Sequence, residues 1–144
     1  LISQVHPHGD KRPYVSALIA PSPLETLEWG VSEGLITQSE FRQRQTELLE
    51  DPTARSESLN VSVAKVVTAP GYMMRIRKAV EAGNKDLAQV ERVRRFVLLD
   101  RDFSQEEGEL TPTMKVKRKA IETKFQKLFD RIYSEDRFAE KATS

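Results

Sequence analysis

Tyr14-Val15-Ser16-Ala17-Leu18-Ile19-Ala20 is the stretch on which the fold turns. Its residues suit a pleated, largely buried surface, so it reads as a strand. The run before it, Gly9-Asp10-Lys11-Arg12-Pro13, forms turns readily, and Leu1-Ile2-Ser3-Gln4-Val5 has strand character again. An opening hairpin is therefore the economical reading. Pro7 cannot donate a ladder hydrogen bond, which makes the first strand an edge or ends it nearby. Leu1 opens in mid-strand with no cap or turn before it, as expected of a chain cut from a longer polypeptide. His6 and His8 share one face of that strand, but two histidines without a third ligand do not define a metal site, and no metal is expected.

Downstream, Arg95-Phe96-Val97-Leu98-Leu99-Asp100 is a second apolar run of strand length, placed beside the hairpin. The intervening sequence is helical in pattern. Ser22-Pro23-Leu24-Glu25 combines an N-cap, a proline at the first helical position and a capping-box glutamate, with Leu24, Leu27 and Val31 as its stripe. Thr37-Gln38-Ser39-Glu40 repeats the start signal, and Phe41, Leu48 and Leu49 are expected on one face. Leu59, Val63, Val66 and Val67 recur at helical spacing until Ala69-Pro70-Gly71, and Tyr72, Met73, Ile76 and Val80 continue as another helix. Gly83-Asn84 is expected to end that helix in left-handed geometry, with one more helical turn around Leu87 and Val90. Trp29 reads as a core or domain-edge aromatic. The expected class is α+β: a small antiparallel sheet, made of the opening hairpin plus a strand near 95–100, packed with several helices.

A length of 144 residues favours one domain with a real core, and 38% hydrophobic with 31% charged residues is a globular composition. No apolar run approaches the roughly 20 residues a membrane span needs, and no signal segment opens the chain, so a cytoplasmic location is expected. The absence of cysteine excludes disulfides, zinc-thiolate sites and thiol catalysis. Net charge is only +1, yet 75–95 and 108–133 each hold seven Lys or Arg against three Asp or Glu. Such clusters draw phosphates of any kind and do not separate a nucleotide from a nucleic acid.

Chemistry concentrates near one loop. Ser104-Gln105-Glu106-Glu107 is a third capping pattern, cut short by Gly108, and it leads into Leu110-Thr111-Pro112-Thr113-Met114-Lys115-Val116-Lys117-Arg118-Lys119. Pro112 keeps Thr111 out of helical geometry, and a final amphipathic helix is expected from about Val116, with Ile121, Phe125, Leu128, Phe129 and Ile132 on one stripe. Lys115 should then stand on a short exposed connection flanked by two hydroxyls. No Ser/His/Asp arrangement, phosphate-binding glycine loop or metal cluster accompanies it, so a complete active site is not expected within these residues.

The run from Phe103 through Lys119, preceded by Arg95-Phe96-Val97-Leu98-Leu99, closely resembles the C-terminal domain of AMP-forming long-chain fatty acyl-CoA synthetases. The opening resembles the same family: Ile2-Ser3-Gln4-Val5 followed by Gly9 through Pro21 matches the hairpin just after its interdomain hinge. The likeness spans Ile2 to Tyr133 and is weakest between about Gly34 and Ala69. Many relatives carry Ser-Gly where this chain has Thr113-Met114, a departure that narrows the subfamily to the long-chain branch.

The resemblance implies that residues 1–133 form the lid domain of an acyl-CoA ligase and 134–144 a polar tail. It implies a large N-terminal domain of the same polypeptide that binds ATP, Mg²⁺ and fatty acid, with CoA as second substrate and no nucleic-acid partner. Peripheral membrane association of the full-length enzyme is left open. Lys115 falls on the family's motif lysine, the catalytic residue of adenylate formation, with Thr111, Thr113 and Arg118 as candidate nucleotide contacts. Arg92, Arg94 and Arg95 are weighed against CoA phosphates but read better as a solvated approach to the strand. Residues alone leave a different class open, a stand-alone basic module for nucleic acid.

Overall fold

A computed structural model describes residues 1–134 and 142–143. Among these, β1 (Ile2–His8), β2 (Val15–Pro21), β3 (Val93–Leu99) and the two-residue β4 (Ala142–Thr143) form a sheet in the order β1-β2-β3-β4. Between β2 and β3 lie α1 (Pro23–Ser32), α2 (Gln38–Glu50), α3 (Glu57–Val67) and α4 (Pro70–Asn84); α5 (Arg118–Lys124) and α6 (Gln126–Ser134) come after β3. The α+β class and the opening hairpin stand as expected. The polar tail expected over 134–144 lies outside the described residues except for Ser134 and 142–143.

The sheet is mixed, which corrects the expectation of a wholly antiparallel one. β1 and β2 pair antiparallel, with Val5 opposite Ile19, but β3 runs parallel to β2, with Leu18 opposite Val97. The cause lies in the connection. Two parallel strands need a long crossover, and the four helices between β2 and β3 provide one, carrying the chain back to the sheet's starting end.

Period-2 alternation along β2 and β3 then feeds two cores. Ala17, Ile19, Phe96 and Leu98 face α1–α4, where they meet Leu27, Leu59, Val63, Val66, Tyr72 and Ile76. Leu18, Ala20, Val97 and Leu99 face the other way, onto Phe103, Leu110, Ile121, Phe129 and Ile132. The second layer is the one that carries the lysine loop.

Ser22 and Thr37 take the expected N-cap positions of α1 and α2, but Ser22 makes no side-chain cap hydrogen bond to the backbone. The Thr37 hydroxyl accepts from the Glu40 N–H at 3.0 Å, and the Ser56 hydroxyl accepts from the Leu59 N–H at 3.1 Å. Pro70 opens α4 at its first turn, so Ala69-Pro70-Gly71 is a link between two helices. Phe41 and Leu48 are buried, but Leu49 is 74% exposed, because one residue further turns the side chain about 100° round the helix. Nor does Asn84 end α4 with a positive φ. Its side-chain amide instead exchanges two hydrogen bonds with the backbone of Val93, at 2.9 and 3.0 Å, and ties the helix end to the start of β3. The turn expected near Val90 is a single 3-10 turn, Gln89–Glu91, with Val90 exposed. The final helix is divided at Phe125, whose φ of −107° and ψ of 16° separate α5 from α6.

Tyr72 anchors the larger core. Its hydroxyl shares a 2.7 Å hydrogen bond with the Thr26 hydroxyl, and burial pushes the phenol up to about 12. Trp29 packs edge-on against it at 5.6 Å, in line with the domain-edge reading.

Two glycines in helices separate packing from propensity. A Cβ on Gly30 would lie 2.5 Å from Val66 Cγ2, a β-branched side chain with little room to yield, whereas a Cβ on Gly83 meets nothing within 4 Å. Gly30→Ala is expected to destabilise the chain by about 1–3 kcal/mol through overpacking of α1 on α3. Gly83→Ala is expected to stabilise it by roughly 0.5–1 kcal/mol through helix propensity. Urea unfolding of both variants checks the pair; equal and small effects would contradict the close helix contact.

Candidate functional site

The lysine loop is built in three steps from the end of β3. First, Asp102, 3% exposed, accepts from Arg55 Nη2 at 3.0 Å and from the Phe103 N–H at 2.8 Å, which fastens the strand exit to the head of α3. Burial pushes the Asp102 carboxyl up, against the pull of Arg55 and of a hydrogen bond from Ser3. Second, the Ser104 hydroxyl accepts from the Glu107 N–H at 3.1 Å and Gly108 takes a φ of +73°. The expected capping pattern is thus present as a turn that reverses the chain. Third, Leu110 and Val116 form an isolated antiparallel bridge that closes a small hairpin.

Within that hairpin the Met114 N–H donates to Thr111 O and the Thr111 N–H to Lys115 O, both at 2.8 Å. Pro112 takes the second turn position, which its fixed φ suits. Met114 has a φ of +65°, left-handed geometry that favours glycine. Its side chain packs against the second core and accepts from Gln105 Nε2 at 3.6 Å, which offsets the backbone cost.

The candidate residues divide by role. The Thr111 hydroxyl accepts from the Lys115 N–H at 3.1 Å and lies 3.1 Å from the Thr113 hydroxyl, so Thr111 is committed to building the loop. Lys115 is exposed, and its ammonium has no hydrogen-bond or ion-pair partner among the described residues. It borders a cleft of about 370 Å³ between the hairpin and β1, lined also by Gln4, His6, Pro7 and Arg118. Arg118, the first residue of α5, is exposed on the same cleft; Lys117 and Lys119 are exposed and do not line it. Arg92 and Arg94 take local partners instead: Arg92 Nε donates to Leu87 O at 3.0 Å, and Arg94 lies 5.2 Å over the Tyr14 ring.

Two carboxylates that carry no sequence motif tie neighbouring segments together, Glu109 at the base of the loop and Glu122 between α5 and β1. Glu109 is fully buried and binds Arg101 through two 2.8 Å contacts, Lys124 at 2.9 Å and the Ser104 N–H at 3.1 Å. Burial pushes its carboxyl up, but Arg101, Lys124 and the Ser104 N–H outweigh that and leave it below 4.5. Glu122, on α5, meets His6 Nε2 at 2.5 Å and His8 Nδ1 at 2.7 Å. The same balance of burial against the two histidines places the Glu122 carboxyl below 4.5. The shared face of His6 and His8 was legible in β1; their partner was not. His8 also stacks on Phe129 at 4.2 Å. Among the described residues no group of three or more His, Cys, Asp or Glu is arranged to hold a metal ion, and no helix is long and apolar enough to cross a membrane.

The architecture is that of an α+β domain presenting an uncommitted lysine on a braced hairpin. No family model matches the chain, and no solved structure matches it significantly. It is 33% identical over 136 residues to the long-chain-fatty-acid–CoA ligase FadD15 of Mycobacterium tuberculosis, covering 94% of this chain and 19% of that protein. It is 25% identical over 146 residues to the long-chain-fatty-acid–CoA ligase heimdall of Drosophila melanogaster, 92% of this chain and 21% of that protein. A stretch of 61 residues is 38% identical to the long-chain-fatty-acid–CoA ligase ACSBG2 of Gallus gallus. The chain belongs to the long-chain-fatty-acid–CoA ligase family, and it spans about a fifth of the length of the first two relatives.

The carboxylate pairs fix the sign of the acid response. Glu109 and Glu122 titrate lower in the fold than the ordinary 4.5, so their stabilisation is complete above that value and lost as pH falls through the folded values. Asp102, raised by burial from 3.8, works in the opposite sense and is relatively favoured in acid. The thermal midpoint of the chain should fall from about pH 5 downward. Melts by circular dichroism should show a shallower acid decline in Glu122→Gln; an unchanged profile would mean that the histidine contacts contribute nothing.

Proposed function

We propose that this chain is the mobile C-terminal lid of an ATP-dependent long-chain fatty acid–CoA ligase, and that Lys115 is its catalytic residue for adenylate formation. The observation that carries the reading is the contrast within the hairpin. The backbone and hydroxyl groups that shape the turn are internally bonded, while the ammonium at its edge is left uncommitted among the described residues. A cation held that way suits an anion supplied by another surface.

The chemistry calls for such a group. A fatty acid carboxylate attacks the α-phosphate of ATP, forming acyl-AMP and expelling pyrophosphate; the CoA thiol then attacks the acyl carbonyl and AMP leaves. In the first step two anions approach and charge grows on the leaving group. An ammonium reaching both the carboxylate and the phosphate or ribose oxygens offsets that repulsion, and closure of the lid removes the water that would screen it. Arg118, exposed on the same cleft, and Thr113, exposed on the hairpin turn, are secondary contacts for nucleotide oxygens, whereas Thr111 supports the loop. In this reading Mg²⁺ and most of the ATP contacts belong to an N-terminal domain of the same polypeptide, as the family resemblance implies. In the thioester step the lid rotates and Lys115 withdraws.

Two outcomes are expected. The chain assayed by itself with fatty acid, ATP, magnesium and CoA should release no AMP above blank; robust turnover would show a self-contained enzyme and end the lid reading. In the full-length ligase, Lys115→Ala should lower acyl-adenylate formation by a hundredfold or more, since one preorganised donor is worth about 2.7–4 kcal/mol. Supplied acyl-adenylate and CoA should still yield thioester at a rate near wild type, and Lys117→Ala and Lys119→Ala should cost little. Equal loss in both half-reactions would make the lysine a general structural or phosphate contact, and no loss in either would remove it from the site.

A further inference from the structure

A fully buried carboxylate with no part in the reaction stands at the root of the lysine hairpin. Glu109 is the residue before the Leu110–Val116 bridge, and its carbonyl accepts from the Lys117 N–H at 2.9 Å, so it closes the hairpin from below. Its carboxylate meets three other elements at once. Oε1 accepts from Arg101 and from the Ser104 N–H, while Oε2 accepts from Arg101 and from Lys124 of α5. Arg101 Nη1 also donates to Asp102 O at 2.9 Å, and Lys124 Nζ to Glu107 O at 3.2 Å. The segments before and after the hairpin are therefore joined through one charged atom group.

We infer that Glu109, held by Arg101 and Lys124, is the positioning residue that sets the height and direction of Lys115 over the reacting centre. The inference rests on the proposed role of Lys115 and extends it to side chains that never touch substrate. A hairpin braced only by the Leu110–Val116 bridge could pivot about that bridge. A bidentate guanidinium on one side and an ammonium on the other remove the pivot, because a planar fork fixes orientation as well as distance. Glutamine in place of Glu109 keeps the size but turns an NH₂ toward a donor, and it leaves two cations without their shared anion. The hairpin should then loosen without being lost.

The test uses the full-length ligase and reads the two half-reactions separately. Glu109→Gln should lower acyl-adenylate formation by roughly ten- to a hundredfold, the scale of a misplacement of about 1 Å. Thioester formation from supplied acyl-adenylate should stay near wild type. On a Lys115→Ala background the same substitution should cost nothing further, since residues acting through one another are not additive. Loss in both half-reactions, or an undiminished loss on the Lys115→Ala background, would make Glu109 merely structural and overturn the inference. If Glu109→Gln fails to fold, Lys124→Met decides: it removes the partly exposed donor alone and should give the same selective loss, smaller in size. An unchanged adenylation rate in Lys124→Met would overturn the inference in that case. Should Lys115→Ala leave adenylation intact, the lysine assignment fails first; should Lys115→Ala lose adenylation while the Glu109 and Lys124 variants keep it, only the positioning role is lost.

Discussion

The structure depends on β2 being covered on both faces. Ser16 through Ala20 are fully or nearly excluded from water, so neither alternating set of side chains has a solvent side. A strand in that position needs a layer above and a layer below, and a neighbour on each edge to take its backbone groups. The four-helix crossover supplies one layer and leads to β3, the neighbour on the second edge of β2. The remaining layer has to come from the chain beyond β3. The segment that carries the lysine is therefore also half of the domain's core, and Leu110, Ile121, Phe129 and Ile132 cannot leave the sheet without exposing β2.

That dependence explains why the loop is braced with charge. Apolar contacts are poor at fixing direction, because hydrophobic attraction is not directional. The fully buried part of the second core stops at Leu110 and resumes at Ile121; between them Met114 and Val116 are only partly buried, and Pro112, Thr113 and Lys115 are exposed. Buried ion pairs are weak evidence for stability, but they do impose geometry through their hydrogen bonds. Arg101, Lys124 and Glu109 lie where apolar packing stops and orientation begins to matter. Glu122 does similar work further along, joining α5 to β1 through two imidazoles.

Much of this was legible in the sequence where a residue type has one dominant physical use. Pro23 and Pro70 mark helix starts because their φ is fixed; Thr37 caps α2 as its place before Glu40 implies; Ala17 to Ala20 and Phe96 to Leu99 declare strands, whereas Pro112, expected in an extended segment, sits in a turn. Strand direction was not legible, since nothing local in Val93–Leu99 distinguishes parallel from antiparallel pairing; the crossover decides it. Asn84 departs from its expected role for a related reason. Its side chain suits left-handed backbone, but it also suits a side-chain clasp, and only the nearness of Val93 selects between them. Glu109 and Glu122 carry no signature because a buried carboxylate is defined by partners far away in sequence.

Lysine shows how little residue type settles by itself. Lys124 and Lys115 sit on either side of the same structural unit, nine positions apart, with the same ammonium and the same flexible stem. Lys124 folds back onto Glu109 and Glu107 and becomes part of the scaffold. Lys115 has no carboxylate partner among the described residues, and its backbone, not its side chain, is what the loop holds. An uncommitted ammonium has no internal pair to break before it meets an anion, so its full electrostatic value remains available. The carboxylate clamp and the free cation are complementary in geometry: Glu109 is tied to Arg101 and Lys124 at the base of the hairpin, while the Lys115 ammonium at its edge stays unpaired among the described residues.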